Sequence, residues 1–308
     1  MKTIRLLIPL LVLTLSLVYL PIISEVKAIA LSPLTFELTA NPGDTVTNVL
    51  KITNTDSFNV GITIDIDDFI PAGEEGGVSL EDPSENNTFS LASWVTATPS
   101  AFRLDAGKSM SVEFTILVPL DAEPGGHYSS VLATVSASPL EGGGVAIAQK
   151  IGSLLLLSVA GDVEEGIIIK EFSVQNFSEY GPITLLTRLE NTGTIHVKPR
   201  GFILIKNILG KEVAKIDLPQ KNVLPRSIRR IEVTWGERLM FGKYEATLIA
   251  IYGTTNQPLS SVTSFWIIPW KIAGAVLLGI IVLLAILIKG RKRLRLALRI
   301  LFKGAHKN

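Results

Sequence analysis

The chain contains a ten-residue stretch, KITNTDSFNV at 51–60, that returns in altered form as RLENTGTIHV at 188–197. In both copies, strand-like residues lead into an Asn-Thr pair, and a valine follows six positions after the asparagine. Asparagine is suited to turning the chain, because its side chain hydrogen-bonds nearby backbone and tolerates the left-handed conformation. The pattern therefore predicts that each copy marks a strand end and a turn in a repeated β unit.

Two further markers recur in the same order. VEFT at 112–115 matches IEVT at 231–234, and GHY at 126–128 matches GKY at 242–244. The Gly-x-Tyr pattern resembles the tyrosine corner, in which a phenol hydroxyl hydrogen-bonds to backbone at a crossover between sheets. We therefore expect structural roles for both tyrosines.

The spacing of the markers differs between the two copies. Asn54 and Tyr128 are 74 positions apart, whereas Asn191 and Tyr244 are 53 apart, a difference of 21. That difference is close to the length of 71–90, which is rich in Pro, Gly, Glu and Asn. We expect the first copy to be the second copy with one long loop inserted at 71–90.

Short runs of Val, Ile, Thr and Leu, cut by Gly, Pro and Asn, fill the middle of the chain. This pattern is typical of β-structure, and seven short strands in about 100 residues indicate an immunoglobulin-like sandwich. The sequence predicts an all-β protein of two tandem immunoglobulin-like β-sandwiches, at 31–160 and 161–268, with one C-terminal transmembrane helix. The seven strands predicted for 161–268 are Ile167–Val174, Ile183–Glu190, Val197–Lys206, Glu212–Leu218, Ser227–Thr234, Tyr244–Tyr252 and Val262–Ile268.

Charge divides the chain in the same place. Residues 31–160 contain sixteen acidic and four basic residues, a net charge of −12, whereas 161–268 has a net charge of +2. The acidic half argues against nucleic acid or anionic lipid as its partner. There is no cysteine, so no disulfide stabilises either half.

The C-terminal segment predicts a membrane anchor. The run 272–288 is uncharged and apolar, and at about 1.5 Å per residue it nearly crosses a hydrocarbon layer of about 30 Å. The tail at 289–308 is basic and has no acidic residue, which favours a cytoplasmic position for it and an external position for everything before Trp270. We expect a helix at 270–288 whose membrane-interface residues are Trp266, Trp270, Lys271, Lys289, Arg291, Lys292 and Arg293.

The N-terminal segment predicts export. Lys2 and Arg5 precede an apolar stretch at 6–23, and Ala28 and Ala30 are small residues suited to cleavage. We expect a signal peptide at 1–28, with an uncleaved anchor as the alternative.

Catalytic motifs are missing from the sequence. There is no Gly-x-Ser-x-Gly, His-Glu-x-x-His, phosphate loop or dinucleotide glycine pattern. Of the three histidines, His127 and His196 lie beside turn markers, where we expect solvated loop residues. We predict no catalytic residue, no cofactor and no enzymatic activity.

Three aspartates raise the possibility of a calcium site. Asp65, Asp67 and Asp68 come just before the acidic stretch 71–90, and Ca²⁺ binds clusters of carboxylate oxygens. Strand alternation instead places Asp65 and Asp67 together on the wet face of a strand. The solvated face is the interpretation we adopt, with calcium and a basic partner as alternatives.

The order of these parts resembles the bacterial WxL-interacting proteins, which are membrane-anchored cell-surface proteins. The first sandwich is also similar to the pilus-chaperone-like immunoglobulin sandwiches, the matching stretches being 45–54, SWV at 93–95 with Pro99, 102–107 and 114–119. The resemblance implies peptidoglycan binding by the first domain and binding of a partner or host protein by the second.

These observations predict a single-pass protein of the cell membrane with its sandwiches outside and its tail in the cytoplasm. We expect it to bind or scaffold, with a cell-wall polymer or another surface protein as its partner and no role for nucleic acid. One alternative is an extracytoplasmic assembly chaperone that acts by strand addition at a sheet edge. A second is a calcium-dependent adhesin.

Overall fold

The computed structural model describes residues 29–83, 87–136 and 149–303. Within these ranges the protein contains 18 β-strands, a short 3-10 helix at Ala92–Trp94 and one long α-helix. The protein is mostly β, as the sequence predicts. The predicted signal peptide at 1–28 and the end of the tail at 304–308 lie outside the described residues.

Ten strands form the first sandwich. They are β1 (Ile29–Ser32), β2 (Thr35–Ala40), β3 (Thr45–Asn54), β4 (Val60–Ala72), β5 (Gly77–Glu81), β6 (Val95–Thr98), β7 (Ala101–Leu104), β8 (Ser109–Leu117), β9 (Gly125–Ser136) and β10 (Gln149–Val159). One sheet has the order β1-β3-β8-β6, and the other has the order β2-β10-β9-β4-β5, with β7 also paired to β4.

Eight strands form the second sandwich. They are β11 (Ile167–Val174), β12 (Phe177–Ser178), β13 (Ile183–Asn191), β14 (Arg200–Asn207), β15 (Glu212–Asp217), β16 (Ile228–Trp235), β17 (Gly242–Tyr252) and β18 (Gln257–Ile267). The sheets have the orders β11-β13-β16 and β12-β18-β17-β14-β15.

All seven strands predicted for the second sandwich are present, although their ends differ. The largest difference is at β18, which begins at Gln257 rather than Val262, and Val197 forms only an isolated bridge before β14. The two-residue strand β12 was not predicted, because so short a segment carries no periodicity.

The two sandwiches share one strand order. In each, the first strand is split between the sheets: β1 and β11 pair antiparallel with β3 and β13, while β2 and β12 pair parallel with β10 and β18. The larger sheets also correspond strand by strand. The repeat found in three short markers is therefore a repeat of an immunoglobulin-type fold.

Asn54 performs the role that its marker predicts. Its side chain is fully buried, and Nδ2 donates to the carbonyls of Phe58 (2.8 Å) and Leu104 (3.1 Å). Its Oδ1 accepts from the backbone N–H of Asp56 at 2.9 Å. One side chain thus closes the turn after β3 and fastens that turn to β7.

Asn191 makes the same three bonds in the second sandwich. Nδ2 donates to the carbonyls of Ile195 and Val223, both at 2.8 Å, and Oδ1 accepts from Gly193 N–H at 2.8 Å. The spacing to two of the partners, two and four residues downstream, is identical to that around Asn54. The predicted role of the Asn marker is confirmed in both copies, where a buried asparagine side chain holds the turn by hydrogen bonds to its backbone.

The expectation of one long inserted loop at 71–90 is wrong for its first part, 71–81. β4 continues to Ala72, and β5 pairs back along it, with Asp68 opposite Glu81. β15 pairs with β14 at the matching edge of the second sandwich, so this hairpin belongs to the repeated unit. Among the strands of the described residues, β6 and β7 have no counterpart in the second sandwich, and they account for additional length in the first.

Each sandwich encloses its own apolar core. Phe114 and Leu50 are fully buried in the first core, and Phe265 and Leu185 in the second. A small third cluster of Phe69, Tyr128 and Leu156 lies where the sandwiches meet, and Leu224 of the second sandwich packs against it.

The long helix α1 spans Trp270–Lys303. Its first part, Trp270–Gly290, has 21 residues, and the most apolar 18-residue window within it has a mean hydropathy of 2.8 and is not buried. This part is long and apolar enough to cross a membrane, in agreement with the span predicted at 270–288. The rest of α1 carries the basic tail.

Candidate functional site

The predicted calcium residues Asp65 and Asp67 lie side by side on β4, on the face away from the core. Asp65 Oδ2 accepts from Thr134 Oγ1 at 2.8 Å, and Asp67 Oδ2 pairs with Lys150 Nζ at 2.9 Å. The strands β9 and β10 of the same sheet therefore supply a donor to each carboxylate. The predicted alternation of the strand is confirmed for these two residues.

Asp68 points to the opposite face and is fully buried. Its Oδ1 accepts from the backbone N–H groups of Leu91 (3.0 Å) and Ala92 (2.8 Å), and its Oδ2 accepts from Ser90 Oγ at 2.5 Å. Asp68 thus caps the 3-10 helix. Within the described residues, no group of three or more His, Asp or Glu side chains is arranged to hold a metal ion.

The helix that Asp68 caps presents Trp94 to a groove on the first sandwich. The indole is partly exposed, and the groove beside it has a volume of about 610 Å³. The groove therefore offers the Trp94 ring for apolar packing, together with hydroxyl, amide and carboxylate side chains for hydrogen bonding. The groove, called the Trp94 groove below, is lined by Pro83, Asn87, Thr88, Ser90, Ser93, Trp94, Pro119, Asp121, Ala122, Glu123 and His127.

His127 is not the solvated loop residue expected from the sequence. It is 4% exposed, and its ring lies 4.5 Å from the Trp94 ring, centroid to centroid. Nδ1 lies 3.0 Å from the Ser90 carbonyl oxygen and Nε2 lies 2.9 Å from that of Glu123. His127 therefore supports the indole and joins the two loops that form the walls of the groove.

Tyr128, the next residue, forms the centre of the contact between the sandwiches, called the junction below. The hydroxyl accepts from the backbone N–H of His196 at 2.9 Å and lies 3.3 Å from His196 Nδ1. A tyrosine corner within the first sandwich is therefore the wrong interpretation for Tyr128. Tyr244 does form one, because its hydroxyl donates to the carbonyl of Phe241, three residues upstream, at 3.2 Å.

The junction requires a neutral His196. When the Tyr128 hydroxyl accepts from the His196 backbone, its own proton is free to donate to Nδ1, which must then be unprotonated. Burial lowers the pKa of His196 to about 4, and burial likewise raises the pKa of Tyr128 far above its ordinary value. His196 is thus partly buried at the junction, contrary to the solvated position expected from its sequence.

Charged contacts also connect the two sandwiches. At the tip of the β4–β5 hairpin, Glu74 forms a two-point ion pair with Arg188 of β13, at 2.7 Å to Nε and 2.5 Å to Nη2. Hydrogen bonding from Arg188 lowers the pKa of Glu74, and the contact raises that of Arg188. Arg230 adds a backbone bond to Glu74 and an ion pair with Glu75. The acidic stretch of the first sandwich therefore has a basic partner within the same chain.

A cavity of about 320 Å³ lies beside these contacts. Glu37 faces it and accepts from Lys198 Nζ and from Asn222 Nδ2. Burial acts to raise the pKa of Glu37, but these two donors outweigh it and lower the pKa. Arg229 also lines the cavity, and burial lowers its pKa.

The predicted membrane-interface residues divide into two groups. Trp266 and Trp270 are 42% and 57% exposed at the start of the candidate span. Lys271 pairs with Glu179 of the second sandwich at 2.8 Å and lies over the Trp270 ring. Lys289 is exposed near the other end of the span. For Arg291, Lys292 and Arg293, the structure describes the helical backbone alone.

No protein-family model matches this sequence, and no curated protein matches it. Solved structures that resemble the chain include chaperones of fimbriae and pili. The class 5 fimbriae chaperone CfaA is 14% identical, with 77% of this chain and 99% of that chain covered and a TM-score of 0.40. The CsuC–CsuE chaperone–tip adhesion subunit complex of Acinetobacter baumannii is 12% identical, with 77% and 98% covered and a TM-score of 0.37. The E. coli chaperone DraB is 14% identical, with 78% and 97% covered and a TM-score of 0.36.

Proposed function

We propose that the protein is a membrane-anchored binding protein that holds a cell-wall polymer in the Trp94 groove. The observation that carries this proposal is the partly exposed indole that lines a groove rich in hydroxyl, amide and carboxylate groups. Sugars are recognised by this combination, because their C–H faces pack on the negative face of an aromatic ring while their hydroxyls need donors and acceptors. The WxL-interacting resemblance, with its external sandwiches and cytoplasmic tail, is consistent with such a role.

The support beneath Trp94 strengthens the proposal. Asp68 fixes the helix and His127 fixes the ring, so little side-chain freedom is lost when a ligand packs on the indole. Pre-organisation of this kind favours binding, since ordering costs are met during folding. The acidic lining from Asp121 and Glu123 also suits a polymer that carries amine or amide groups.

A pull-down with isolated wall material and, separately, with surface-protein extract tests the proposal. Purified 29–268 is expected to bind the wall fraction, and Trp94→Ala is expected to weaken that binding about tenfold or more. The matched control is Phe58→Ala, which removes a 58% exposed aromatic ring from the β3–β4 turn, at the opposite end of the first sandwich. Equal loss in both variants, or binding in the protein fraction alone, would overturn the assignment of the groove.

A second function, assembly of partner subunits by strand addition, is favoured by one open edge. β2 pairs with β10 at Leu154–Val159, and within the described residues no strand pairs with that side of β10 at 149–153. An added strand there would hydrogen-bond to free backbone groups. The backbone N–H of Lys150 is on the open side of β10, as that of Leu154 is where it donates to the Leu34 carbonyl. Lys150→Pro would therefore block such pairing, and capture of subunits from the protein extract that the substitution abolishes would favour this function.

A further inference from the structure

The second sandwich is joined to α1 by a very short connection. Only residues 268 and 269 separate the end of β18 from Trp270, and two extended residues span at most about 7 Å. Ile268 N–H donates to the Ser178 carbonyl at 3.0 Å, and Lys271 pairs with Glu179. If α1 crosses a bilayer, this end of the sandwich, called the membrane-side end below, must lie at the level of the lipid headgroups.

Two loops of the second sandwich lie at the membrane-side end. In the β17–β18 register Gly242 is opposite Ile267, and in the β14–β17 register Asn207 is opposite Tyr244. The β14–β15 turn, which follows Asn207, and the β16–β17 loop, which precedes Gly242, are therefore on the same side as the start of α1.

Both loops expose large apolar side chains at their tips. Ile208 and Leu209 of the first loop are 67% and 86% exposed, and Leu239 and Phe241 of the second are 64% and 75% exposed. Single exposed apolar residues are ordinary, but two bulky pairs on neighbouring tips indicate an interaction surface. At the other end of β17 the turn at 253–256 reads GTTN and has no large apolar side chain.

Local bonds hold these tips in place. Asn207 Oδ1 accepts from the backbone N–H groups of Leu209 (3.0 Å) and Lys211 (3.1 Å). The Tyr244 hydroxyl donates to the Phe241 carbonyl, and Gly181 N–H donates to the carbonyl of Arg238 at 3.3 Å. The apolar side chains are therefore presented by ordered turns.

We propose that the tips at 208–209 and 239–241 insert into the bilayer interface and hold the second sandwich against the membrane. The second tip is connected to the start of the candidate span through the Gly181–Arg238 backbone bond and the Glu179–Lys271 ion pair. Lys211 and Arg238 are exposed beside the tips, where they meet lipid phosphates. Apolar groups of monotopic surfaces lie about 5–10 Å deep in this zone. The inference rests on the membrane anchor of the proposed function, and it adds that the second sandwich has a fixed orientation on the bilayer.

Single-cysteine variants of the full chain test this directly, because the sequence has no cysteine of its own. Leu209→Cys and Phe241→Cys carry a bimane label on the tips, Thr255→Cys carries it on the opposite turn, and Leu283→Cys carries it within the span. Each variant is reconstituted as one chain per phosphatidylcholine nanodisc, with and without doxyl-labelled lipid. We expect the tip labels to be about threefold less quenched by iodide than the Thr255→Cys label, and to be quenched by doxyl lipid.

Three results would overturn the inference, and they are distinguishable. Iodide access at Leu209→Cys equal to that at Thr255→Cys, with lipid quenching retained at Leu283→Cys, leaves the anchor standing and removes the loop contact. Absence of lipid quenching at Leu283→Cys removes the anchor as well. Tips that are shielded from iodide but not quenched by lipid would show that protein covers them.

Discussion

The Gly-x-Tyr pattern occupies the same strand position in both sandwiches, yet its contacts differ. At the start of β9 the Tyr128 hydroxyl bonds to His196 of the next sandwich, whereas at the start of β17 the Tyr244 hydroxyl bonds to its own chain at Phe241. The start of β9 faces the second sandwich, and the start of β17 faces α1. In both cases the neighbour is the next part of the chain. The repeat therefore preserves the fold, and the neighbour at that end determines what the tyrosine does.

The glycines of the pattern differ for the same reason. A Cβ at Gly126 would lie 1.9 Å from the Tyr128 hydroxyl, so the first glycine makes room for the junction. A Cβ at Gly242 would meet nothing within 4 Å, but its φ of +121° disfavours other residues. Glycine is thus required by packing in the first sandwich and by backbone conformation in the second.

The largest losses of stability are expected at the two asparagines that make the same contacts in both sandwiches. Asn54→Ala and Asn191→Ala each remove three hydrogen bonds and leave buried backbone groups unpaired, and each should lower the free energy of unfolding by about 3 kcal/mol. Asn207→Ala, in an exposed turn, is the control and should cost under about 1 kcal/mol. Urea denaturation of 29–268 measures all three. A loss at only one of the buried asparagines would break the equivalence of the copies.

The next largest loss of stability is expected at Tyr128, and it should exceed the loss at Tyr244. Tyr128→Phe leaves the His196 N–H without an acceptor inside the junction and should cost about 2 kcal/mol. Tyr244→Phe loses one long, exposed bond and should cost about 0.5 kcal/mol. Thermal unfolding of the two variants side by side gives the comparison, and equal losses would argue against the junction as a specific use of the pattern.

Acid should weaken the Tyr128 junction, because His196 becomes protonated. Its pKa of about 4 in the folded protein lies below the ordinary 6.5, so the unfolded chain binds the proton first as pH falls. The stability from this residue is present above pH 6.5 and is lost towards pH 4, by about 2 kcal/mol when partial exposure of the ring is allowed for. Unfolding of wild type and His196→Gln from pH 7 to pH 4 measures it. Identical pH profiles would contradict the prediction.

The smallest effect is expected at the hairpin tip. Glu74→Gln removes the charge of an ion pair that is open to solvent, so the melting temperature should fall slightly at low salt and not at high salt. Glu81→Gln, at the other end of the same hairpin, is the matched control. A loss that persists at high salt would mean that Glu74 contributes by packing or hydrogen bonding rather than by charge.

Sequence predicted the fold better than the site for a physical reason. Strand alternation, the Asn-Thr turns and the apolar span are local patterns, and each was found in place. By contrast, Trp94, His127 and Tyr128 acquire their roles from residues far along the chain, such as Asp68 and His196. The β5 strand was missed because GVSLE has only two large apolar residues and its pairing depends on β4. Asp68 could have been found only by extending the alternation of β4 one step further, which places it on the core face.

We expect the Tyr128 junction to fix the two sandwiches relative to each other, because the Tyr128 hydroxyl bonds to His196 of the second sandwich. Spin labels at Met110→Cys and Val213→Cys, both on exposed strand positions, allow the distance between the sandwiches to be measured by pulsed electron resonance on the full chain at pH 7. The account predicts one narrow distance distribution that becomes broad in Tyr128→Phe and stays narrow in Tyr244→Phe. A broad distribution in the wild type, or one that Tyr128→Phe leaves unchanged, would contradict it.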